Sequence, residues 1–235
     1  MAIGYNPKIA TDGLILAYDE SNPKSGDTSE LVLGRTAIVQ STSERRFNQD
    51  DLLTTTYASV AQYNSAASGS GFSFSSWIRR TAETTGFFDT ISIVDNGGPR
   101  YRMLYFGWYS NTTDRIHCSM PFYNGTDAAA WWSIDPYWSN AGLTLSINQW
   151  YNFCATYNNS SRSLKTYING IFALGGTRPG LGDLNNPNNA QVKLFGCNGV
   201  SSGNSQITSM NFYNKELSSY EVQQNFEALR GRYGI

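Results

Sequence analysis

Charge is scarce in this chain: of 235 residues only seventeen are Lys or Arg and eighteen Asp or Glu, for a formal net charge of -1. The basic residues form no block able to neutralise a run of phosphates, which argues against a nucleic-acid partner. His117 is the only histidine, and the three cysteines, Cys118, Cys154 and Cys197, are odd in number and widely spaced. Neither a disulfide framework nor a zinc-ligand pattern is present, so the cysteines read as small buried hydrophobes. No apolar run is long enough to span a bilayer, so no membrane is expected as a partner. The opening residues, MAIGYNPKIATDG, lack a basic stretch followed by an apolar core. The expectation is a product made in the cytoplasm, in which the Asn-X-Ser/Thr sites at Asn111, Asn124, Asn158 and Asn159 are ordinary loop asparagines.

What the chain has in quantity is aromatic and turn-forming residues. Aromatics make up 14% of it, with fifteen Tyr, twelve Phe and six Trp, beside twenty-two Gly. That composition favours strands joined by polar turns. With 40% hydrophobic residues the length suits one large β-sandwich and is too short for two, so residues 1–235 are expected to form a single domain. Short segments bounded by Gly, Asn, Pro or Asp read as strands at Leu14–Tyr18, Phe72–Ile78, Thr90–Val94, Tyr101–Trp108 and Arg115–Ser119. More follow at Leu143–Ile147, Trp150–Tyr157, Gln191–Gly196 and Gln206–Tyr213. Leu164–Ile168 and Ile171–Leu174 flank Asn169-Gly170, the dipeptide suited to a type I′ hairpin because both its residues must take positive φ. About twelve strands at this spacing predict an all-β sandwich or jelly roll.

Only the last segment has a helical period, over residues 218–230. Ser218 with Glu221 forms a capping box, Leu217 and Val222 a hydrophobic staple, and Val222, Phe226 and Leu229 an apolar stripe expected to dock on a sheet edge. Gly231 is placed to end the helix. Residues 1–12 read as an N-terminal arm.

Catalytic chemistry finds little support. Glucan hydrolysis on a β-sandwich needs carboxylates at alternate positions of one strand, Glu-x-Asp-x-Glu or Glu-x-Asp-x-x-Glu, and no such triplet occurs. Asp19-Glu20, Asp50-Asp51 and the pair Glu216 and Glu221 read as turn and cap residues. His117 lacks the context of a base, and Gly175-Gly176 and Gly180-Leu181-Gly182 lack that of a phosphate loop. No catalytic residue, metal or cofactor is assigned. Asp183 to Asn189 is oxygen-rich but reads as an Asn-rich turn. Trp131, Trp132, Tyr137 and Trp138, with Asp135, Ser139 and Asn140, place four large aromatics in a segment expected to be irregular. Three readings stay open for them: a lid on the core, a subunit interface, or a glycan site in which flat rings meet sugar C–H faces.

Asp12-Gly13-Leu14-Ile15-Leu16-Ala17-Tyr18-Asp19, Phe72-Ser73-Phe74-Ser75-Ser76-Trp77-Ile78 and Gln149-Trp150-Tyr151-Asn152-Phe153-Cys154-Ala155-Thr156-Tyr157 resemble successive signatures of concanavalin A-like (laminin-G-like) lectin/glucanase domains. The hairpin Lys165–Gly170, the strand Ile207–Tyr213 and the helix start Leu217–Val222 extend the resemblance in the same order. It implies an all-β, concanavalin A-like jelly roll with one short C-terminal helix. Residues 5–9 and 224–235 look like the version found in structural proteins of tailed phages of marine and cyanobacterial hosts. That likeness implies a non-enzymatic virion component, a capsid decoration or tail-fibre subunit. The implied partners are other virion proteins and further copies of the chain, with host-surface glycan as an alternative. Ser25 to Gln62 departs from the family's Asn/Gly-rich stretch, so no calcium or sugar loop carries over.

Overall fold

A computed structural model describes residues 8–19, 38–40, 52–56, 71–80, 88–95, 102–108, 116–122, 130–134, 137–144, 146–177, 190–194 and 205–235. The strands are β1 (Leu14–Asp19), β2 (Ile38–Gln40), β3 (Leu52–Thr56), β4 (Gly71–Arg80), β5 (Phe88–Asp95), β6 (Arg102–Trp108) and β7 (Ile116–Phe122). They continue with β8 (Ala130–Ile134), β9 (Trp150–Asn158), β10 (Ser163–Ile168), β11 (Ile171–Thr177), β12 (Ala190–Leu194) and β13 (Ser205–Tyr213), before the helix α1 (Ser219–Leu229). Six strands form one sheet in the order β1-β13-β4-β9-β10-β11, and seven form the other in the order β2-β3-β12-β5-β6-β7-β8. Every described pairing is antiparallel, as in a β-sandwich.

Alternation along β4 explains how the six-stranded sheet is covered on both sides. Phe72, Phe74 and Ile78 share one face, where Phe74 meets Phe212 of β13 with ring centroids 4.7 Å apart. Ser73, Ser75 and Trp77 share the other and are equally buried, because α1 lies across them. The helix therefore docks on the face of the sheet, not on its edge as the sequence suggested. Small polar side chains there let the chain come close and bond it. The Ser73 hydroxyl donates to the Lys215 carbonyl and accepts from the Leu217 N–H, both at 2.8 Å. Val222 and Leu217 pack with Ala10, Cys154, Tyr167 and Tyr213. Phe226 stacks on Trp77 at 5.9 Å.

Local signals explain the helix start and the hairpin. The Ser218 hydroxyl accepts from the Glu221 N–H at 3.2 Å, and the Glu221 carboxylate accepts from the Ser218 N–H at 2.8 Å, closing the capping box. Asn169 and Gly170 have φ of 50° and 75°. A β-carbon on Gly170 would lie 2.8 Å from Gln223 Oε1 and 3.2 Å from Phe226 Cβ, so the turn needs glycine both for its backbone and for the passage of the helix.

Three expectations are corrected. The described residues of 143–147 form no strand: the Tyr151 hydroxyl accepts from the Ser146 N–H and donates to the Thr144 carbonyl, and Asn148 turns with φ 66°. Those bonds satisfy in a loop the backbone that a ladder would otherwise use. Helix α1 stops at Leu229 with Arg230 still right-handed and a 3₁₀ turn after it, and the glycine with positive φ is Gly234 rather than Gly231. Trp131 and Trp132 lie on β8, not in an irregular segment, because β8 pairs with β7 from Ala130 to Ile134.

Candidate functional site

The expected aromatic cluster lies at one edge of the sandwich. β8 ends the seven-stranded sheet and β11 ends the six-stranded one. Between β8 and β9 the chain makes a 3₁₀ turn, Trp138–Ala141, that packs against β11 and β10, and β8 itself meets β11. Trp131, Trp132, Tyr137 and Trp138 are thus brought to the same edge by consecutive segments. The turn is held locally: the Tyr137 N–H donates to Asn140 Oδ1 at 2.7 Å and the Asn140 N–H to the Tyr137 carbonyl at 3.0 Å. Ala141 is buried beneath it, while the Tyr137 side chain is 40% exposed. Ser139 and Asn140 are exposed beside it.

Next to this turn β11 presents Ile171, Phe172 and Leu174 at 47%, 51% and 36% exposure. Phe172 stands edge-on to Tyr167 at 5.8 Å, on the face that α1 covers further along. No residue of β11 is charged, although charge is a usual guard on an end strand. Sequence reasoning recognised the hairpin but not this surface. The available signal was the unbroken run Ile171-Phe172-Ala173-Leu174, which exceeds what an alternating strand needs for its buried face. Large exposed apolar side chains grouped at an edge mark a contact surface.

The other candidate groups have structural employment. Lys215 bridges Asp12 at 2.5 Å and Glu221 at 2.7 Å, tying the first turn to the start of α1. Lys165 pairs with Glu216 at 2.8 Å, and Asn158 donates to the same carboxylate. Burial opposes ionisation of Glu221, but the Lys215 ammonium and the Ser218 N–H and hydroxyl outweigh it and hold the carboxyl below its ordinary range. The hydrogen bond to Glu216, against a smaller burial cost, keeps the Lys165 ammonium above its ordinary range. Cys118 and Cys154 are buried and in no disulfide, and burial, with Cys118 adding to it, pushes the Cys154 thiol far up, so it behaves as a small hydrophobe. His117 pairs through its backbone with Gly107 on β6. No group of three or more potential metal ligands occurs among the described residues, and no described helix is long and apolar enough to cross a membrane. Cys197, residues 178–189 and, within the divergent stretch, residues 25–37, 41–51 and 57–62 lie outside the described residues.

Solved structures similar in fold include the binding domain of botulinum neurotoxin DC in complex with SialylT, at 19% identity and a TM-score of 0.64 over 93% of this chain and 52% of that one. The receptor binding domain of the botulinum neurotoxin C/D mosaic serotype matches at 17% identity and a TM-score of 0.68, over 92% of this chain and 51% of that one. The botulinum neurotoxin type G receptor binding domain matches at 18% and 0.61, over 92% and 51%. The chain spans about half the length of these structures, and at such identities the likeness is one of fold alone. No curated protein sequence matches it. The sequence profile of the concanavalin A-like lectin/glucanases superfamily covers residues 53–223, and the chain belongs to that superfamily.

Proposed function

We propose that the chain is a non-enzymatic attachment module, a lectin-type jelly roll serving as a capsid-decoration or tail-fibre subunit of a tailed-phage virion and contacting its neighbours through the β11 edge. The observation that carries this reading is the uncharged apolar surface of Ile171, Phe172 and Leu174 beside Tyr137. Desolvating such side chains favours association without the cost of burying a charge. The resemblance of residues 5–9 and 224–235 to phage structural proteins supports the virion setting, and the missing carboxylate triplet supports a role without catalysis. Its partners are then other virion proteins and further copies of itself, met during assembly in the host cytoplasm.

A second reading, recognition of host-surface glycan at the same edge, is favoured by Tyr137, Ser139 and Asn140 all being exposed on the turn between β8 and β9. The neurotoxin domain held with SialylT lends it support by fold. Incubating the purified protein with virions of the parent phage stripped of it distinguishes the two. Recovery with particles at fixed stoichiometry, unaffected by added sugar, supports the assembly role. Protein that ignores the particles but is retained on host polysaccharide replaces it with the lectin role.

A further inference from the structure

Glu216 sits between β13 and α1 and receives two donors from neighbouring strands. Its Oε1 accepts from the Lys165 ammonium of β10 and its Oε2 from Asn158 Nδ2 at the end of β9, at 2.8 and 2.7 Å. Lys165 and Asn158 stand on the same face of adjacent strands, because Lys165 pairs with Thr156 and Ser163 with Asn158 in the β9–β10 ladder. One carboxylate thus holds an amine nitrogen and an amide nitrogen together. The amide oxygen is engaged too: Asn158 Oδ1 accepts from the Ser161 N–H at 2.8 Å. Gly175 of β11 lies opposite Lys165, and a β-carbon there would come within 3.3 Å of Lys165 Cγ, so glycine leaves the lysine stem its place.

An ion pair alone does not require this arrangement. A pair such as Lys165 and Glu216, with side chains 42% and 20% exposed, needs no amide oriented beside it. The three groups in this order are the parts of an acyl transfer. Lys165 supplies an amine nucleophile, Asn158 a carbonyl polarised by a backbone N–H, and Glu216 a carboxylate touching both the nucleophile and the leaving nitrogen.

We propose that Lys165 and Asn158 join in an intramolecular isopeptide bond, with Glu216 as the proton carrier. Glu216 takes a proton from the Lys165 ammonium, and the free amine attacks Asn158 Cγ. The Nζ–Cγ bond forms while the charge gathering on Oδ1 is met by the Ser161 N–H. Glu216 then hands its proton to Nδ2, and the Cγ–Nδ2 bond breaks as Oδ1 re-forms the carbonyl. The surplus proton on Nζ returns to Glu216 and leaves with the ammonia as ammonium. The reaction consumes no oxidant, reductant or co-reactant. Removing the first proton is the costly step, because the hydrogen bond to Glu216 holds the Lys165 ammonium above its ordinary range, with nearby Tyr167 adding a little, so the bond forms slowly at neutral pH. The product ties β9 to β10 across the turn at residues 159–162. The closed loop is short, so the gain is a hairpin end that cannot fray rather than a large change in global stability. The inference rests on neither the β11 edge nor a virion setting.

The test is the mass of the intact protein before and after prolonged incubation in mildly alkaline buffer, where the neutral amine is more abundant. The expected product is lighter by one ammonia. Its tryptic digest contains the peptide ending at Arg162 joined to the peptide beginning at Ser163, with cleavage after Lys165 lost. Glu216→Gln of native circular dichroism is expected to form the bond on the order of 100-fold more slowly, since the proton carrier is gone. Lys165→Arg, which keeps the cation but lacks the amine, is expected not to form it. A wild-type protein that keeps its mass throughout overturns the proposal, as does formation at the wild-type rate in Glu216→Gln. So does ammonia loss without the joined peptide, or equal loss in Lys165→Arg, because an asparagine has then cyclised onto its own backbone instead.

Discussion

Replacing Asn225 by Leu tests how α1 and the N-terminal segment are held on the sheet. Asn225 is 2% exposed; its Oδ1 accepts from the Ala10 N–H at 2.7 Å and its Nδ2 donates to the Tyr213 hydroxyl at 3.0 Å. Leucine has the same branched shape and number of side-chain heavy atoms, so the change removes hydrogen bonding and leaves no cavity. It leaves a buried amide N–H and a buried phenol without this partner, each costing about 1–3 kcal/mol, partly offset by the transfer of an apolar side chain. The net loss is expected to be about 2–4 kcal/mol, which for a chain of this size lowers Tm by roughly 4–16 °C. Urea unfolding followed by circular dichroism measures it. A double-mutant cycle with Tyr213→Phe should return a coupling of about 0.5–3 kcal/mol, since the two side chains share a bond. Hydrogen exchange at Ala10 should accelerate in Asn225→Leu and not in Tyr213→Phe. A loss below about 1 kcal/mol with Ala10 protection intact would refute this account of the docking.

Phe226→Ala removes the ring stacked on Trp77 and is expected to cost about 3–5 kcal/mol, with a red shift of Trp emission as the indole meets water. Gly170→Ala imposes a β-carbon at φ 75° against Gln223 and Phe226, and is expected to destabilise by about 1–3 kcal/mol in thermal melts. Because the Glu221 carboxyl is held below its unfolded value, its contribution is present above that value and lost as pH falls through the folded one. Acid titration should therefore loosen the start of α1 progressively as pH falls below the unfolded glutamate value of about 4.3, with the contribution fully lost once pH passes the lower folded value. Ser218→Ala should cost roughly 1 kcal/mol at neutral pH and flatten that acid dependence, both read by exchange in the first turn of the helix.

How far the sequence could be read depended on whether the controlling interactions were local. The Asn169-Gly170 turn and the Ser218–Glu221 box depend on neighbours within four residues, and both formed as expected. Where α1 docks depends on residues far apart in sequence: Ser73 serves the Leu217 backbone and Asn225 serves Ala10, so the strand face opposite Phe72 and Phe74 is the seat of the helix. The segment 143–147 alternates like a strand, but the Tyr151 hydroxyl takes its backbone bonds, a partner that no periodicity reveals. At the edge, the sequence singled out Tyr137 and its neighbours and overlooked Phe172, because only the order of strands makes β11 an end strand.

The central proposal, association through the β11 edge, is tested most directly by the mass of the protein in solution by light scattering, for wild type and for Phe172→Ser. The substituted side chain is half exposed, so the fold should survive the change. The account predicts a wild-type mass that is a multiple of the single chain and a Phe172→Ser protein shifted to the mass of one chain at the same concentration. A wild-type protein that stays at the mass of one chain at every concentration, or an oligomer that Phe172→Ser leaves intact, would contradict it.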